Sequence, residues 1–254
     1  MKNVICAGDS YTFHCIDEYL AWPYHLDKSA YNVTVCAEMG SSNTMIARNA
    51  LYQLSKQTSF EDTVLVVGWS EPTRFEFHFD QSHPMFSEVK KVEKTHDHKV
   101  TNFLCDGDTK YSAWLKSTGG YGHWTFENKH IDQLMEMYFG HCHSNVNQYI
   151  DSMHSVLLLQ NFCKANSIPL MNFKAWDHEL LTATYPETEY LHDLVDRGTW
   201  WEYNGADIND ENIIQGLREF CRDLGDDIPE GMHPHNKYQR MFAEQAVTAF
   251  LKGL

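Results

Sequence analysis

The chain has 254 residues, 43% hydrophobic and 22% charged, a balance that suits a globular protein rather than a disordered or fibrous one. Its formal net charge of −15 argues against a nucleic-acid partner, which would need clustered Lys and Arg. No run of roughly 18 apolar residues is present, so no membrane span is expected. Seven cysteines without a CxxC pair argue against disulfides and a zinc ribbon, leaving most of these thiols as small buried hydrophobes.

In chain order, Met1-Lys2-Asn3 lead straight into a short apolar strand, Asn3–Ala7, closed by Gly8. That run is too short for the apolar region of a secretory signal, so the protein is expected to act in the cytosol where it is made, or to be carried as part of a particle. A helical pattern covers Thr12–Leu26. A second strand, Asn32–Ala37, ends near Gly40, and a helix follows over Thr44–Lys56. The third strand, Thr63–Val67, ends at Gly68. Continuous apolar runs without polar alternation suit strands covered on both faces.

The rhythm then breaks over about residues 71–130. Phe75, Phe77 and Phe79 alternate, a charged EVKKVEKTHDHK stretch follows, and Gly119-Gly120-Tyr121-Gly122 comes last. This stretch reads as an insertion after the third strand, a hairpin followed by a lid. Beyond it the pattern predicts one long helix over Ile131–Ala165, a strand over Pro169–Phe173, and an irregular segment, Tyr185–Asn209, that contains Trp200-Trp201-Glu202-Tyr203. Helices over Asp210–Leu224 and Asn236–Leu251 complete the chain. Alternating strands and helices imply α/β class with a parallel sheet and right-handed crossovers, in one domain over residues 1–254. In such sheets ligands sit at the carboxyl ends of the strands, where the strand order reverses.

Ser10 stands at the first of those ends. Gly8-Asp9-Ser10 alone is an ordinary helix cap. The segment Pro229-Glu230-Gly231-Met232-His233-Pro234-His235 before the last helix offers a carboxylate three residues from a histidine, on a loop kept non-helical by Gly231 and Pro234. A base and its orienter require such a pair, although exposed loop histidines and a solvated Glu230 would read the same way. The fold would bring this last loop to the first turn, making Ser10 a candidate nucleophile and His233, rather than His235 or His14, its base.

Gly8-Asp9-Ser10, Gly40, Gly68-Trp69-Ser70-Glu71 and Glu230-Gly-Met-His233-Pro resemble the four ordered sequence blocks of the SGNH (GDSL-type) hydrolases, with Trp22-Pro23 and Gln160–Leu170 as smaller agreements. The likeness covers residues 1–70 and about 150–254. It implies a three-layer α/β/α sandwich with a parallel sheet of about five strands in flavodoxin-like order. It also implies a Ser10–His233–Glu230 triad and an oxyanion hole formed by the N–H groups of Ser10 and Gly40 with the Ser70 side chain. Trp69, Glu71, Trp200 and Trp201 would contact substrate. Two departures stand out: Ser70 and Glu71 replace the family's Asn-Asp, and Glu230 replaces its aspartate. Asn43 or a water is an alternative donor to Ser70, and Asp226 and Asp227 are alternatives to Glu230. GWSEPTRFEF within this frame is similar to uncharacterised proteins of large tailed bacteriophages.

The expected activity is hydrolysis of a small acyl ester, such as a carbohydrate O-acetyl group, without cofactor or metal. The rival is a non-catalytic binding or particle-associated module of the same fold. His96/His98 and His141/His143 form H-x-H patterns that can bind metal, but among 15 histidines such pairs arise by chance and no acidic partner has ligand spacing. Trp200, Trp201 and Tyr203, with Tyr121 and Trp124, suit either a carbohydrate cleft or a core.

Overall fold

A computed structural model describes residues 1–13, 20–93, 100–101, 112–117, 128–176, 178–182, 185–203, 216–228 and 233–254. Strand β1 (Lys2–Gly8) is buried from Val4 onward, with no polar alternation, because each face meets its own apolar layer. Ile5 and Ala7 point into one core, and Val4 and Cys6 into the other. Strand β3 (Thr63–Trp69) divides likewise, with Leu65, Val67 and Trp69 on the first face and Val64 and Val66 on the second. Each fully buried aliphatic side chain of this kind contributes about 1.5–3 kcal/mol relative to exposure.

Strands β2 (Tyr31–Ala37) and β3 pair in parallel with β1, so that Ala7 stands opposite both Cys36 and Val67. The antiparallel sheet of the insertion contains β4 (Phe75–Asp80), β5 (Val100–Thr101) and β6 (Ser112–Ser117), in the order β4-β6-β5. Strand β7 (Leu170–Lys174) then joins β3, giving a parallel sheet of four strands in the order β2-β1-β3-β7. Among the described residues the position of a fifth strand holds only an isolated parallel bridge between Asn172 and Trp200, next to a Trp201 N–H bond to the Asn172 carbonyl of 2.8 Å.

Helix α1 (Asn43–Ser55) begins where expected. Ser42 caps it by accepting the Met45 N–H at 3.1 Å, and Ile46, Ala47, Ala50 and Leu54 cover the first face. Phe75 and Phe79 lie on one side of β4, buried with Leu115, Val89 of α2 (Phe86–Glu93) and Ile131 and Met135 of α3 (Lys129–His141). The insertion thus has a small core of its own, and residues 94–99, 102–111 and 118–127, including His96, His98, Tyr121 and Trp124, lie outside the described residues. A bidentate Arg48–Glu76 ion pair, 2.6 and 3.1 Å, ties β4 back to α1.

Two helical expectations need correction. The run Ile131–Ala165 is two helices, α3 and α4 (Asn145–Ala165), because Ser144 turns its hydroxyl to the Asn147 N–H and caps a new start. The described parts of Thr12–Leu26 hold a turn at Asp9–Phe13 and a 3-10 helix, Trp22–His25, with Pro23 near its start. After β7 come α5 (Glu189–Asp193) and α6 (Leu217–Asp223); residues 210–215 of the expected helix lie outside the described ones. The last helix is α7 (Asn236–Phe242), a π-helical turn over Ala243–Val247, and α8 (Thr248–Gly253). Leu217, Phe220, Phe242, Val247 and Leu251 cover the second face. Cys6, Cys36, Cys163 and Cys221 are free and buried, whereas Cys142 is exposed.

Candidate functional site

All four parallel strands end on one edge, and the order reverses between β1 and β3, which lead outward to β2 and β7 respectively. At this switch point the backbones meet closely. A Cβ on Gly8 would lie 2.3 Å from Thr12 Oγ1, and one on Gly68 would lie 2.9 Å from the same oxygen and 2.7 Å from the Phe173 ring. Thr12 is wholly buried between the two strand ends, so both positions require glycine.

Asp9, not Ser10, caps the turn after β1. Its Oδ1 accepts the Tyr11 N–H at 3.0 Å, and its carbonyl accepts the Thr12 and Phe13 N–H groups, each at 3.0 Å. Ser10, the next residue, is half-buried on this turn. The Asp9 carboxyl is fully buried and pairs with Arg74, Oδ2 to Nη1 3.1 Å. Burial raises its pKa, opposed by the Arg74 charge and the Tyr11 N–H. Arg74 arrives on the turn after β3, where Glu71 takes the Thr73 hydroxyl at 2.9 Å and its carbonyl takes the Arg74 N–H at 3.3 Å.

Ser70 is held by Asn43, the first residue of α1. The Ser70 N–H donates to Asn43 Oδ1 at 2.8 Å, and Asn43 Nδ2 donates to the Ser70 carbonyl at 2.9 Å. The Asn43 amide thus spends its oxygen and one of its two N–H donors on the Ser70 backbone. The Ser70 hydroxyl is buried; it lies near enough to the Asp9 carboxylate to favour its charge, yet completes no hydrogen bond of acceptable geometry. Gly40, at the end of β2, is buried with φ of 68°, a left-handed conformation that suits glycine.

Strand β7 delivers Trp176 and His178. The Trp176 ring lies 4.6 Å from the Arg74 guanidinium and 5.0 Å from the Tyr11 ring. His178 is buried between the Trp69 carbonyl, 3.1 Å from Nε2, and the Leu180 N–H, 3.3 Å from Nδ1. Burial, then the Lys174 charge, pushes its pKa well down, so it is a neutral structural ring with Nε2–H donating.

His233 reaches this cluster from the far end of the chain, with its ring 4.9 Å from that of Tyr11. Burial first, then the charges of Arg74 and Arg218, push its pKa down to about 4, so it is uncharged at neutral pH. Among the described residues no hydrogen bond joins the Ser10 hydroxyl to His233. Glu230 lies outside the described residues. Asp226 does not orient His233: its two oxygens bond His235, at 2.6 Å to Nδ1 and 3.0 Å to the backbone N–H.

Of the tryptophans expected at substrate, Trp69 and Trp200 are core residues and Trp201 is half-buried. Trp69 is fully buried with Nε1 bonded to Asn172 Oδ1 at 2.9 Å, and Trp200 is 8% exposed in the same core. Trp201 packs edge-on against Phe242, 4.9 Å between centroids, and Phe220, 5.8 Å. Sequence reading missed Tyr11, Arg74, Trp176 and Arg218. One signal was present, since Arg74 is the sole cation in Gly68-Trp-Ser-Glu-Pro-Thr-Arg74. Among the described residues no three His, Cys, Asp or Glu side chains gather as a metal site, and no helix is long and apolar enough to cross a membrane.

No protein-family model, curated protein or solved structure matches this chain.

Proposed function

We propose that the chain is an SGNH-type serine esterase whose two cores lie between the sheet and the two helical layers of a three-layer α/β/α sandwich, with its active site at the β1/β3 switch point. The contact between His233 and Tyr11 carries this reading, because it joins the last loop of the chain to the turn that holds Ser10. The Ser10 hydroxyl attacks the ester carbonyl while its proton passes to the neutral His233 ring. The N–H groups of Ser10 and Gly40 and the Ser70 hydroxyl, a buried donor beside Asp9 that completes no hydrogen bond, receive the developing oxyanion. Collapse of the tetrahedral intermediate breaks the ester C–O bond, and the leaving alkoxide takes the proton from His233. Water then attacks the acyl-enzyme, giving its proton to His233 and releasing the acid and the Ser10 hydroxyl.

The substrate class is a small acyl ester, and a carbohydrate O-acetyl group remains within that proposal. Burial of Trp200 removes one of the rings that favoured a sugar face. A second reading, a non-catalytic module of the same frame, is favoured by one observation: among the described residues the carboxylate–histidine pair is Asp226–His235. Hydrolysis of p-nitrophenyl acetate by the purified chain, lost in Ser10→Ala, is the expected result. Equal rates for the two proteins would leave the module as the better reading.

A further inference from the structure

Arg218 is the second residue of α6, and its place next to the site is built into the backbone. Gly216 presses the start of α6 onto the end of β7, where a Cβ would lie 2.4 Å from the Lys174 carbonyl. The Arg218 N–H then bonds the Ala175 carbonyl at 3.2 Å, next to Trp176, whose ring touches Tyr11, which in turn touches His233. The Arg218 charge acts on both Tyr11 and His233.

The two site arginines differ in how they are balanced. Arg74 has the buried Asp9 carboxylate at 3.1 Å and the Trp176 face at 4.6 Å. Arg218 is half-buried, has no carboxylate within ion-pair distance among the described residues, and keeps a buried Nε without a hydrogen-bond partner. Its sequence neighbour Glu219 is turned to the Gly216 N–H at 3.1 Å to cap the helix. A half-buried cation without a counter-charge is costly, and in a chain of net charge −15 carboxylates to pair with it are plentiful. A guanidinium left open at a site presents a planar fork that matches two oxygens of one anion.

We propose that Arg218 binds an oxyanion, of carboxylate or phosphate class, on the non-reacting part of the ligand that occupies this site. Combined with the esterase reading, on which this part rests, the substrate is an ester bearing a negative charge a few bonds from its carbonyl.

The test uses the full chain with monomethyl succinate, inorganic phosphate and the neutral methyl butyrate as probes, read by calorimetry and thermal unfolding. Saturable binding of one of the two anions, but not of methyl butyrate, is expected. It should weaken by about tenfold or more in Arg218→Gln and recover in part in Arg218→Lys, as for a charge-assisted hydrogen bond. Whichever anion binds more tightly assigns the class. Absence of binding by both anions, or binding that Arg218→Gln leaves unchanged, overturns the proposal. In parallel, the ratio of p-nitrophenyl hemisuccinate to p-nitrophenyl butyrate cleavage should fall by a similar factor in Arg218→Gln. If neither ester is cleaved by the unaltered chain the esterase reading fails, while the binding arm still decides the role of Arg218.

Discussion

Asp9 and Arg74 form an ion pair of 3.1 Å that joins the turn after β1 to the turn after β3, with the carboxylate wholly buried. Asp9 thereby serves two ends at once: one oxygen caps the turn that carries Ser10, and the other fixes Arg74 against Trp176. The pair spans the switch point and sets the distance between its two loops. Removing the cation alone strands a buried charge. Arg74→Met is expected to cost about 3–5 kcal/mol, read as a lower urea midpoint, with a large part recovered when Asp9→Asn is added. Additive losses in the double variant would show that the two side chains are not coupled.

His233 gives the site a pH signature. Its pKa falls from the ordinary 6.5 to about 4, through burial first and then through Arg74 and Arg218. Above 6.5 the ring is neutral in both folded and unfolded chains and contributes nothing to pH dependence. As pH falls toward 4 the unfolded chain takes up the proton first, so stability is lost across that window, by about 3 kcal/mol in all. His233→Gln should flatten this part of the curve of urea midpoint against pH. The same depression predicts that the acid limb of kcat/KM for p-nitrophenyl acetate lies nearer pH 4 than 6.5. An acid limb between pH 6 and 7 would mean that another group is the base.

The parallel sheet was legible because its strands are short, wholly apolar and punctuated by glycine, a pattern that burial on both faces imposes on β1 and β3 alike. The switch point between β1 and β3 followed from it. What escaped was set by tertiary pairing. Nothing local distinguishes Arg74 or Arg218 from a solvated cation until Asp9 and the end of β7 come beside them. The tryptophans escaped because aromatic rings serve cores and clefts equally well, and Trp200 was claimed by its bridge to Asn172. The break between α3 and α4 was written in Ser144, whose hydroxyl caps the second helix, and the two helices serve different cores.

Gly8 tests the closeness of the two strand ends. Adding a methyl group there sets a Cβ 2.3 Å from Thr12 Oγ1 and 2.8 Å from Thr12 Cβ, in a wholly buried place. Gly8→Ala is expected to destabilise by about 1–3 kcal/mol, as overpacking does. Thr12→Ala removes the hydroxyl and the branch that the new methyl would strike, so the double variant should regain part of that loss. A Gly8→Ala protein as stable as the unaltered chain would mean that the turn can open without cost.

Ser70 separates stability from chemistry. Its hydroxyl is buried and completes no hydrogen bond, while its backbone is held by Asn43 on both sides. The hydroxyl favours the buried Asp9 charge without completing a hydrogen bond, so its net contribution to folding is small, about 1 kcal/mol or less. Ser70→Ala should therefore leave the thermal midpoint unchanged or slightly lowered, with the clamp to Asn43 intact. Its effect on rate should be far larger. If the hydroxyl turns to the oxyanion only in the transition state, its removal costs about 10²–10³ in kcat, with KM little altered. Ser70→Asn would place an amide there, but the longer side chain must fit where the hydroxyl now sits beside Asp9, so this variant should lose stability. The decisive comparison is a Ser70→Ala protein that folds as well as the unaltered one but cleaves p-nitrophenyl acetate at least a hundredfold more slowly. A variant with unchanged kcat would remove Ser70 from the oxyanion hole and leave the backbone N–H groups of Ser10 and Gly40 as its donors.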